Sequence, residues 1–261
     1  MKLLAQYTNG NYTVLLHDDG TKIRMNNLDN LTPSFSESID VNITTKCDGK
    51  CSYCYLNCNE NGVHAELNQP IFDTLHAGTE LALNGNDLSH PDLENFLIRM
   101  KDKGVFCNIT VNQIHLNRNM SKLLEWQNRK LVWGVGVSLS DSSDKTLISN
   151  MAKLKNTVLH VIDGVFSKSD IENLMDHNIS LLVLGYKKVG RGKSYYEKHK
   201  DDIESNILFL KENLISYKNF FNGFGFDTLS TSHLDLRNQV GKDTWSLYYM
   251  GDEGTYTFYI D

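Results

Sequence analysis

Short apolar runs alternate with longer amphipathic segments along most of this chain. Seven runs of five to eight residues are rich in Val, Ile, Leu and Phe and have the length of buried strands. Five segments between them place apolar residues three or four positions apart, which is the spacing of one helix face. The predicted strands are 39–44, 80–84, 106–111, 131–138, 157–162, 179–185 and 223–227, and the predicted helices are 69–79, 91–103, 143–155, 169–177 and 196–215.

The order of these elements predicts an α/β fold. Strands that alternate with helices through short connections are parallel and joined by right-handed crossovers. Six such units favour a partial (β/α)6 TIM-like barrel, and an open doubly wound sheet is the alternative. In both folds the carboxyl ends of the strands form the functional edge. Ser169 followed by Glu172 predicts a capping box, and Gly104 after a lysine-rich turn predicts a helix end.

The two ends of the chain show a different pattern. Apolar runs at 11–16 and 21–24 flank an Asp-Gly pair, which is a strong signal for a β-hairpin turn. The aromatic-rich tail alternates around 251–254 and predicts a second hairpin. The predicted division is therefore an N-terminal β-hairpin extension (1–34), a (β/α)6 core (35–230), and a C-terminal helix and β-hairpin that close the barrel (231–261).

Composition narrows the function classes. Hydrophobic residues make up 40% of the 261 residues, enough for a sizeable core, but no run approaches the about 18 apolar residues of a membrane span. The N-terminus turns polar too soon for a secretory signal, so we expect a cytoplasmic protein without a membrane partner. The net charge of −6 argues against nucleic acid as a partner. A short basic run at 187–193 predicts either a solvated loop or a contact to an anionic part of the substrate.

Three of the five cysteines lie close together in CDGKCSYC (47–54), directly after the first strand of the series. An odd number of bunched cysteines is not a disulfide framework and indicates metal or redox chemistry. Three thiolates spaced C-x3-C-x2-C suit an iron–sulfur cluster with one iron free of protein ligands, which is open to chemistry. A structural zinc site is the alternative, because Cys58 could supply a fourth thiolate. Cys107 lies on an apolar strand and is expected to be a buried small hydrophobe.

This motif, with Tyr53 in its aromatic position, resembles the C-x3-C-x-aromatic-C signature of the radical S-adenosylmethionine (radical SAM) superfamily. The resemblance spans roughly residues 35–230, and the cysteine motif is its most specific part. The tail contains no cysteine, so the chain resembles single-cluster members without an auxiliary-cluster (SPASM-type) extension. Three further segments resemble the superfamily's Gly-Gly-Glu-Pro and His-Pro-x-Leu run, its Thr-Asn-Gly and its Ser-Leu/Ile-Asp segment, namely 83–93, 110–112 and 137–141.

The resemblance implies an oxygen-sensitive [4Fe–4S] cluster held by Cys47, Cys51 and Cys54, with S-adenosylmethionine (SAM) on the remaining iron. An electron from a donor such as flavodoxin or ferredoxin then cleaves SAM to methionine and a 5′-deoxyadenosyl radical. That radical abstracts a hydrogen from a peptide, nucleotide or other small-molecule substrate. Activation of a glycyl-radical partner enzyme is a second implied activity. A non-catalytic iron–sulfur or zinc protein that also uses Cys58 is the remaining alternative.

The resemblance also implies contacts to SAM, although it identifies no catalytic residue. Tyr53 would stack on the adenine, and Gly85 would let the backbone approach the methionine ammonium. Asn84 stands where the family has its first glycine and Asn86 where it has Glu, and Asp87 could supply the missing charge. The remaining predicted contacts are Asn112, Ser138, Lys145, Val161 and Leu184. Ser138 could instead cap the following helix, and Lys145 could be a solvated surface residue. Val161 and Leu184 could instead belong to the core.

Overall fold

The computed structural model describes residues 2–28, 30–249 and 254–261, and it begins with a small antiparallel sheet. Its three strands are β1 (Leu3–Asn9), β2 (Tyr12–His17) and β3 (Lys22–Met25), in the spatial order β1-β2-β3. β2 and β3 form the hairpin predicted from the Asp-Gly pair, with Leu16 opposite Lys22. The sequence pattern did not reveal β1, which adds a third strand on the other edge of β2.

All other strands form one curled, half-barrel sheet in which every neighbouring pair is parallel. The first seven of its strands lie in the order of the chain, and the last strand pairs with the first. A doubly wound sheet reverses its strand order partway, so that alternative is wrong. In chain order the strands are β4 (Ser38–Val41), β5 (Glu80–Asn86), β6 (Phe106–Asn112), β7 (Gly134–Ser138), β8 (Thr157–Ile162), β9 (Ser180–Leu184), β10 (Gly223–Phe226) and β11 (Thr257–Ile260).

Helices occupy most of the connections and cover one face of this sheet. On β4, β5, β6, β8 and β9 buried residues alternate with more exposed ones, and the buried side chains and the helices share a single hydrophobic core. Within the three described ranges, no helix has the length and apolarity needed to cross a membrane. The α-helices are α1 (Leu93–Asp102), α2 (Gln113–Asn128), α3 (Lys145–Met151), α4 (Lys168–Leu174), α5 (Arg191–Tyr217), α6 (Thr228–His233), α7 (Leu236–Val240) and α8 (Lys242–Tyr248), and 3-10 turns form at Pro70–Thr74 and Lys218–Phe220.

The structure corrects three of the predicted helix features. The segment 69–79 forms only the short 3-10 turn, and the whole of α2 was missed. The capping box of α4 uses Ser167 and Asp170 instead of Ser169 and Glu172, because the helix begins two residues earlier than predicted. The end of α1 is confirmed, since Gly104 follows it with a positive φ of 74°.

The C-terminal segment is not the predicted hairpin in the part that the structure describes. Trp245 lies within α8, and β11 pairs in parallel with β4 and not with an adjacent strand. Alternating aromatic residues predict a strand correctly here, but they do not specify the partner of that strand. Most of the predicted turn, 251–253, lies outside the described residues. The division of the chain into three parts remains a prediction.

A buried carboxylate connects the small sheet to the half-barrel sheet. Glu37, directly before β4, is fully buried and accepts hydrogen bonds from Tyr12 and from Arg24 Nε (3.0 and 3.1 Å). Lys22 Nζ lies 3.3 Å from Glu37 Oε2 and 2.6 Å from Glu80 Oε1 on β5. Burial opposes ionisation of Glu37, but the hydrogen bonds from Arg24 and Tyr12 and the charges of Arg24 and Lys22 outweigh it and lower its pKa.

Glu37→Gln is therefore expected to destabilise the protein by about 3–5 kcal/mol at neutral pH, because it removes one partner of a buried charge network. Because the pKa of Glu37 is lowered on folding, its contribution is present above the ordinary carboxyl pKa and is lost as the pH falls through the folded-state value. Urea unfolding at pH 7 and pH 4 measures both effects. Glu197→Gln on the exposed face of α5 is the control, and equal stability of the two variants would contradict this role.

Candidate functional site

The cysteine loop leaves the carboxyl end of β4 and folds back onto itself. The backbone N–H of Cys47 donates to the carbonyl of Asn59 at 2.9 Å, and the N–H of Asn59 donates to the carbonyl of Thr45 at 3.1 Å. Thr44 pairs with His64 further along the same loop. These bonds fix both sides of the loop at the end of the strand.

Asp48, next to the first cysteine, anchors the loop to α2. Its carboxylate lies 2.5 Å from Nε2 of the fully buried His115 and 2.5 Å from the guanidinium of Arg118. The hydrogen bond from Arg118, followed by that from His115, lowers the pKa of Asp48 and keeps the carboxylate charged. The predicted cysteine motif is therefore held in place by α2, a helix that the sequence pattern did not predict.

Arg191, the first residue of α5, anchors the other half of the loop. Its Nε donates to the carbonyl of Cys51 at 2.9 Å, and its backbone N–H donates to the carbonyl of Cys54 at 3.1 Å. Arg191 belongs to the basic run at 187–193. Lys187 from the same run lies over the ring of Tyr55 at 4.4 Å. At these two positions the basic run is a contact surface for the cysteine loop.

The thiols of Cys47 and Cys51 both lie close to Gly49. A Cβ atom at Gly49 would lie 3.3 Å from Cys47 Sγ and 3.9 Å from Cys51 Sγ. The N–H of Gly49 donates to Cys47 Sγ at 3.3 Å, and Nδ2 of Asn112 lies 3.7 Å from Cys51 Sγ. Burial raises the pKa of both thiols. Donors that point at sulfur offset part of that cost when the thiols ionise.

Cys54 and Cys58 form a hydrogen-bonded thiol pair. The hydrogen bond from Cys58 lowers the pKa of Cys54, and the same contact raises that of Cys58. Nδ2 of Asn86 lies 3.6 Å from Cys58 Sγ. Cys54 is thus the thiol of the loop that ionises most readily. Cys107 is buried in the core, as the sequence predicts.

A cavity of about 2060 Å³ opens along the face of the half-barrel sheet that the helices do not cover. On β8, for example, Leu159 is buried in the core, whereas Val158 and His160 on the alternate positions face the cavity. All four cysteines of the 47–58 segment border this cavity at the carboxyl edge of the sheet. Thiols and a deep concave space therefore meet at the edge where the sequence places the site.

Five of the predicted SAM contacts meet at the rim of the cavity. Asn112 ends β6, where its side chain caps α2 and also receives a hydrogen bond from Ser140 at 3.2 Å. Ser138 ends β7, and the alternative that it caps the next helix is wrong because Asp144 caps α3. The predicted contacts that line the cavity and do not belong to the buried core are Tyr53, Asn86, Asn112, Ser138 and Leu184.

Four other predicted contacts are placed differently. Val161 touches the cavity, but its side chain is 2% exposed and belongs to the core, as its packing alternative predicted. Gly85 faces away from the cavity, because a Cβ there would lie 2.5 Å from Ile109 and 2.7 Å from Leu88. Asp87 accepts from the N–H of Ser89 at 3.1 Å and does not line the cavity. Lys145 is exposed on α3, away from the cavity.

Asn84 and Asn86, which differ from the radical SAM motif that the sequence resembles, form hydrogen bonds to the cysteine loop. Oδ1 of Asn84 accepts from the N–H of Ile43 at 2.6 Å, and its Nδ2 donates to the carbonyl of Thr44 at 3.1 Å. Nδ2 of Asn86 donates to the carbonyls of Thr44 at 3.0 Å and Lys46 at 3.3 Å. A glycine or a glutamate could not make these donations. The asparagines bind the end of β5 to the start of the cysteine loop.

Sequence reasoning missed His160, which faces the middle of the cavity from β8. The signal was present in the strand 157–162, where the period of two places position 160 opposite the buried Leu159. The alternation alone does not tell whether position 159 or position 160 faces the cavity, because that depends on which face of the sheet the helices cover. Arg191 was noted only as part of the basic run, and its contacts with the loop depend on the fold.

Within the described ranges, no group of three or more His, Cys, Asp or Glu side chains is placed to hold a metal ion. No family model matches the chain, and no curated protein matches it. The geometry of the cysteine loop and the cavity is thus the main evidence on function.

The thiol pair yields a prediction on reactivity in the reduced, metal-free protein. Cys54 is expected to be alkylated by iodoacetamide with a midpoint below the ordinary thiol pKa of about 8.5, since the thiolate is the nucleophile. Cys58→Ala removes the stabilising hydrogen bond and should move this midpoint upward. Mass spectrometry of peptides after alkylation over a pH series measures it, with the buried Cys107 as an unreactive internal control. An unchanged midpoint in Cys58→Ala would contradict the assignment.

Proposed function

We propose that this protein is a radical SAM enzyme with a single [4Fe–4S] cluster. The observation that carries the proposal is the position of Cys47, Cys51 and Cys54, whose thiols border one deep cavity at the carboxyl edge of a parallel sheet. Catalytic groups of parallel α/β folds lie at this edge. The motif resemblance described above supports the same assignment, although no family model matches.

We also infer that the half-barrel sheet is a partial (β/α)6 TIM-like barrel. The first seven strands lie side by side in chain order, and helices fill most of the connections between them. A singly wound barrel has this arrangement. In this view β11 and the small sheet are additions at the edges of the barrel.

The donor chemistry of the cysteine loop suits such a cluster. Thiolates are the preferred protein ligands of iron–sulfur clusters, and the loop presents three cysteines beside one cavity. Cys47, Cys51 and Cys54 would hold the cluster. When bound, a reduced cluster with one open iron supplies the electron that cleaves SAM to methionine and a 5′-deoxyadenosyl radical, which abstracts hydrogen from the substrate.

The surrounding residues would orient the ligands and tune them. Asp48 and Arg191 hold the two halves of the loop against α2 and α5, so the thiols keep their relative positions. Asn112 and the N–H of Gly49 donate toward Cys51 and Cys47. Hydrogen bonds to ligand sulfurs stabilise negative charge and raise the reduction potential of a cluster.

SAM would occupy the rim of the cavity beside the loop. Nδ2 of Asn86 is committed to loop carbonyls, which leaves its Oδ1 as an acceptor for the methionine ammonium. Tyr53 packs edge-to-face on Tyr195 at 5.7 Å and offers an aromatic surface for adenine. Ser138, Asn112 and Leu184 would complete the rim. Gly85, Asp87 and Lys145 do not line the cavity, so we assign them no contact with SAM.

The size of the cavity supports a two-ligand reaction. Sites for single small ligands typically measure about 300–1000 Å³, and this cavity of about 2060 Å³ is larger. SAM and a substrate can therefore be accommodated together. A closed space also protects a reactive radical from solvent. The electron donor would be a flavodoxin or ferredoxin of the cytoplasm.

Two alternatives remain. Activation of a glycyl-radical partner would use the same cluster and SAM. A non-catalytic iron–sulfur or zinc protein would use Cys58 as the fourth ligand, and the position of Cys58 on the same cavity as the other three cysteines is the observation that favours it. In that case Cys58→Ala, like Cys47→Ala, would abolish metal binding.

Anaerobic reconstitution with iron and sulfide tests the proposal. We expect a [4Fe–4S] absorption and electron paramagnetic resonance signal that is lost in Cys47→Ala and retained in Cys58→Ala and in the core control Cys107→Ala. SAM should change the signal of the reduced cluster, and dithionite should produce 5′-deoxyadenosine in proportion to cluster content.

The opposite pattern of results would overturn the proposal. A protein that binds one zinc through four cysteines and shows no affinity for SAM is not a radical SAM enzyme. A cluster lost in Cys58→Ala as well as in Cys47→Ala would show that no iron is open.

A further inference from the structure

Two glycines on β7 make room for polar side chains in the wall of the cavity below its rim. Gly134 and Gly136 alternate on β7, and their positions face the cavity without any side chain. On the neighbouring strands, Thr110 is paired with Gly136 and Asn108 with Gly134. We call Asn108, Thr110, Gly134, Gly136 and His160 the glycine groove.

Three polar side chains lean over these glycines. A Cβ at Gly136 would lie 2.5 Å from Nε2 and from Cε1 of His160 and 2.9 Å from Oγ1 of Thr110. A Cβ at Gly134 would lie 2.8 Å from Oδ1 of Asn108. Only glycine leaves these polar groups their present positions. The polar groups of Asn108, Thr110 and His160 therefore lie close to one another on the wall of the cavity.

These polar groups have no partner within the protein as far as it is described. Asn108, Thr110 and His160 make no side-chain hydrogen bond to any described residue, yet all three border the cavity. All three side chains are partly exposed and border the cavity, so their donors and acceptors are open to a ligand. A ligand in the cavity would supply the missing partners.

The charge around the glycine groove argues against an anionic ligand. Burial lowers the pKa of His160 to about 4, so its imidazole is neutral near pH 7 and presents one donor and one acceptor. The lysine and arginine side chains that line the cavity, Lys50, Lys187 and Arg191, come from the cysteine loop and the β9–α5 connection at the rim. The groove itself contains no cation that would bind a phosphate or carboxylate.

The donors and acceptors of the glycine groove favour a planar group. An asparagine amide, a hydroxyl and a neutral imidazole together match an edge that carries adjacent donors and acceptors. The neighbouring part of the concave face is apolar, with Leu182 paired beside His160 and Leu184 two residues further along β9. A flat ring can contact such apolar side chains with one face while its edge is hydrogen-bonded.

We propose that the glycine groove is a binding subsite for an uncharged heterocyclic base of the nucleobase type. The existence of the subsite does not depend on the cluster, whereas the assignment of its ligand as the substrate rests on the proposed function. Gly136 lies two residues below Ser138 on β7, a separation of about 7 Å along the strand. The base would therefore lie below SAM and not in its place.

Calorimetric titration of the full-length protein with uridine and with adenosine tests the subsite. We expect one of them to bind with a dissociation constant below about 1 mM, while orthophosphate and sorbitol do not bind. Thr110→Val and His160→Leu should each weaken binding about 2- to 10-fold, as expected for one lost hydrogen bond. Gly136→Ala should abolish it, and circular dichroism checks the fold of every variant. Ser180→Ala, on the same concave face but outside the groove, is the matched control and should bind like the wild type.

Several results would overturn the subsite. These are failure of both nucleosides to bind, binding that is equal in wild type, Thr110→Val and His160→Leu, or preferential binding of orthophosphate. Competition between SAM and the nucleoside would also overturn it, because the groove would then serve the adenine of SAM. Parallel titration of Cys47→Ala separates the two proposals. Cys47→Ala is expected to lose the cluster and to keep nucleoside binding. A wild-type protein that binds a nucleoside but forms no cluster contradicts the proposed function alone, and one that forms the cluster and cleaves SAM but binds no nucleoside contradicts this inference alone.

Discussion

Parallel pairing of neighbouring strands in chain order is the constraint on which the rest of this structure depends. Because β4 to β10 lie side by side in one direction, every loop that follows a strand emerges at the same edge. The cysteine loop after β4, Asn112 after β6 and Ser138 after β7 therefore meet, although they are far apart in the chain. The curl of the sheet turns this edge into the rim of a cavity. The meeting of these residues at one edge and the cavity on one face therefore both follow from the parallel, curled sheet.

The asparagines at the end of β5 show how a departure from a family pattern can be resolved by hydrogen bonding. Compared with the radical SAM motif that the sequence resembles, Asn84 and Asn86 replace a flexible glycine and a charged acceptor. In the fold, their amide groups donate to carbonyls at the start of the cysteine loop and hold the loop on the sheet. Under the proposed function, these donations leave only the carbonyl oxygen of Asn86 for a contact with SAM.

Prediction from sequence succeeded where a local pattern has one structural outcome and failed where a partner had to be known. The strand 157–162 was predicted with its observed ends because apolar, β-branched runs of that length have few alternatives. The helix α2 was missed because polar residues such as Gln113 and His115 interrupt its apolar face. Both are buried in the fold, where His115 contacts Asp48. The aromatic tail was predicted as a strand, but its pairing with β4 is a contact over more than 200 residues.

The sequence by itself determined the α/β class, the hairpin of β2 and β3, and the clustering of three thiols directly after a strand, because each depends on neighbours in the chain. It also determined that Cys107 is buried. Only the tertiary structure decided that β11 joins the sheet beside β4, that Arg191 and Asp48 clamp the cysteine loop, and that Gly85 faces the core and not the cavity. The physical reason is that side-chain orientation on a strand has a period of two, so which face is covered is fixed by packing partners remote in the chain.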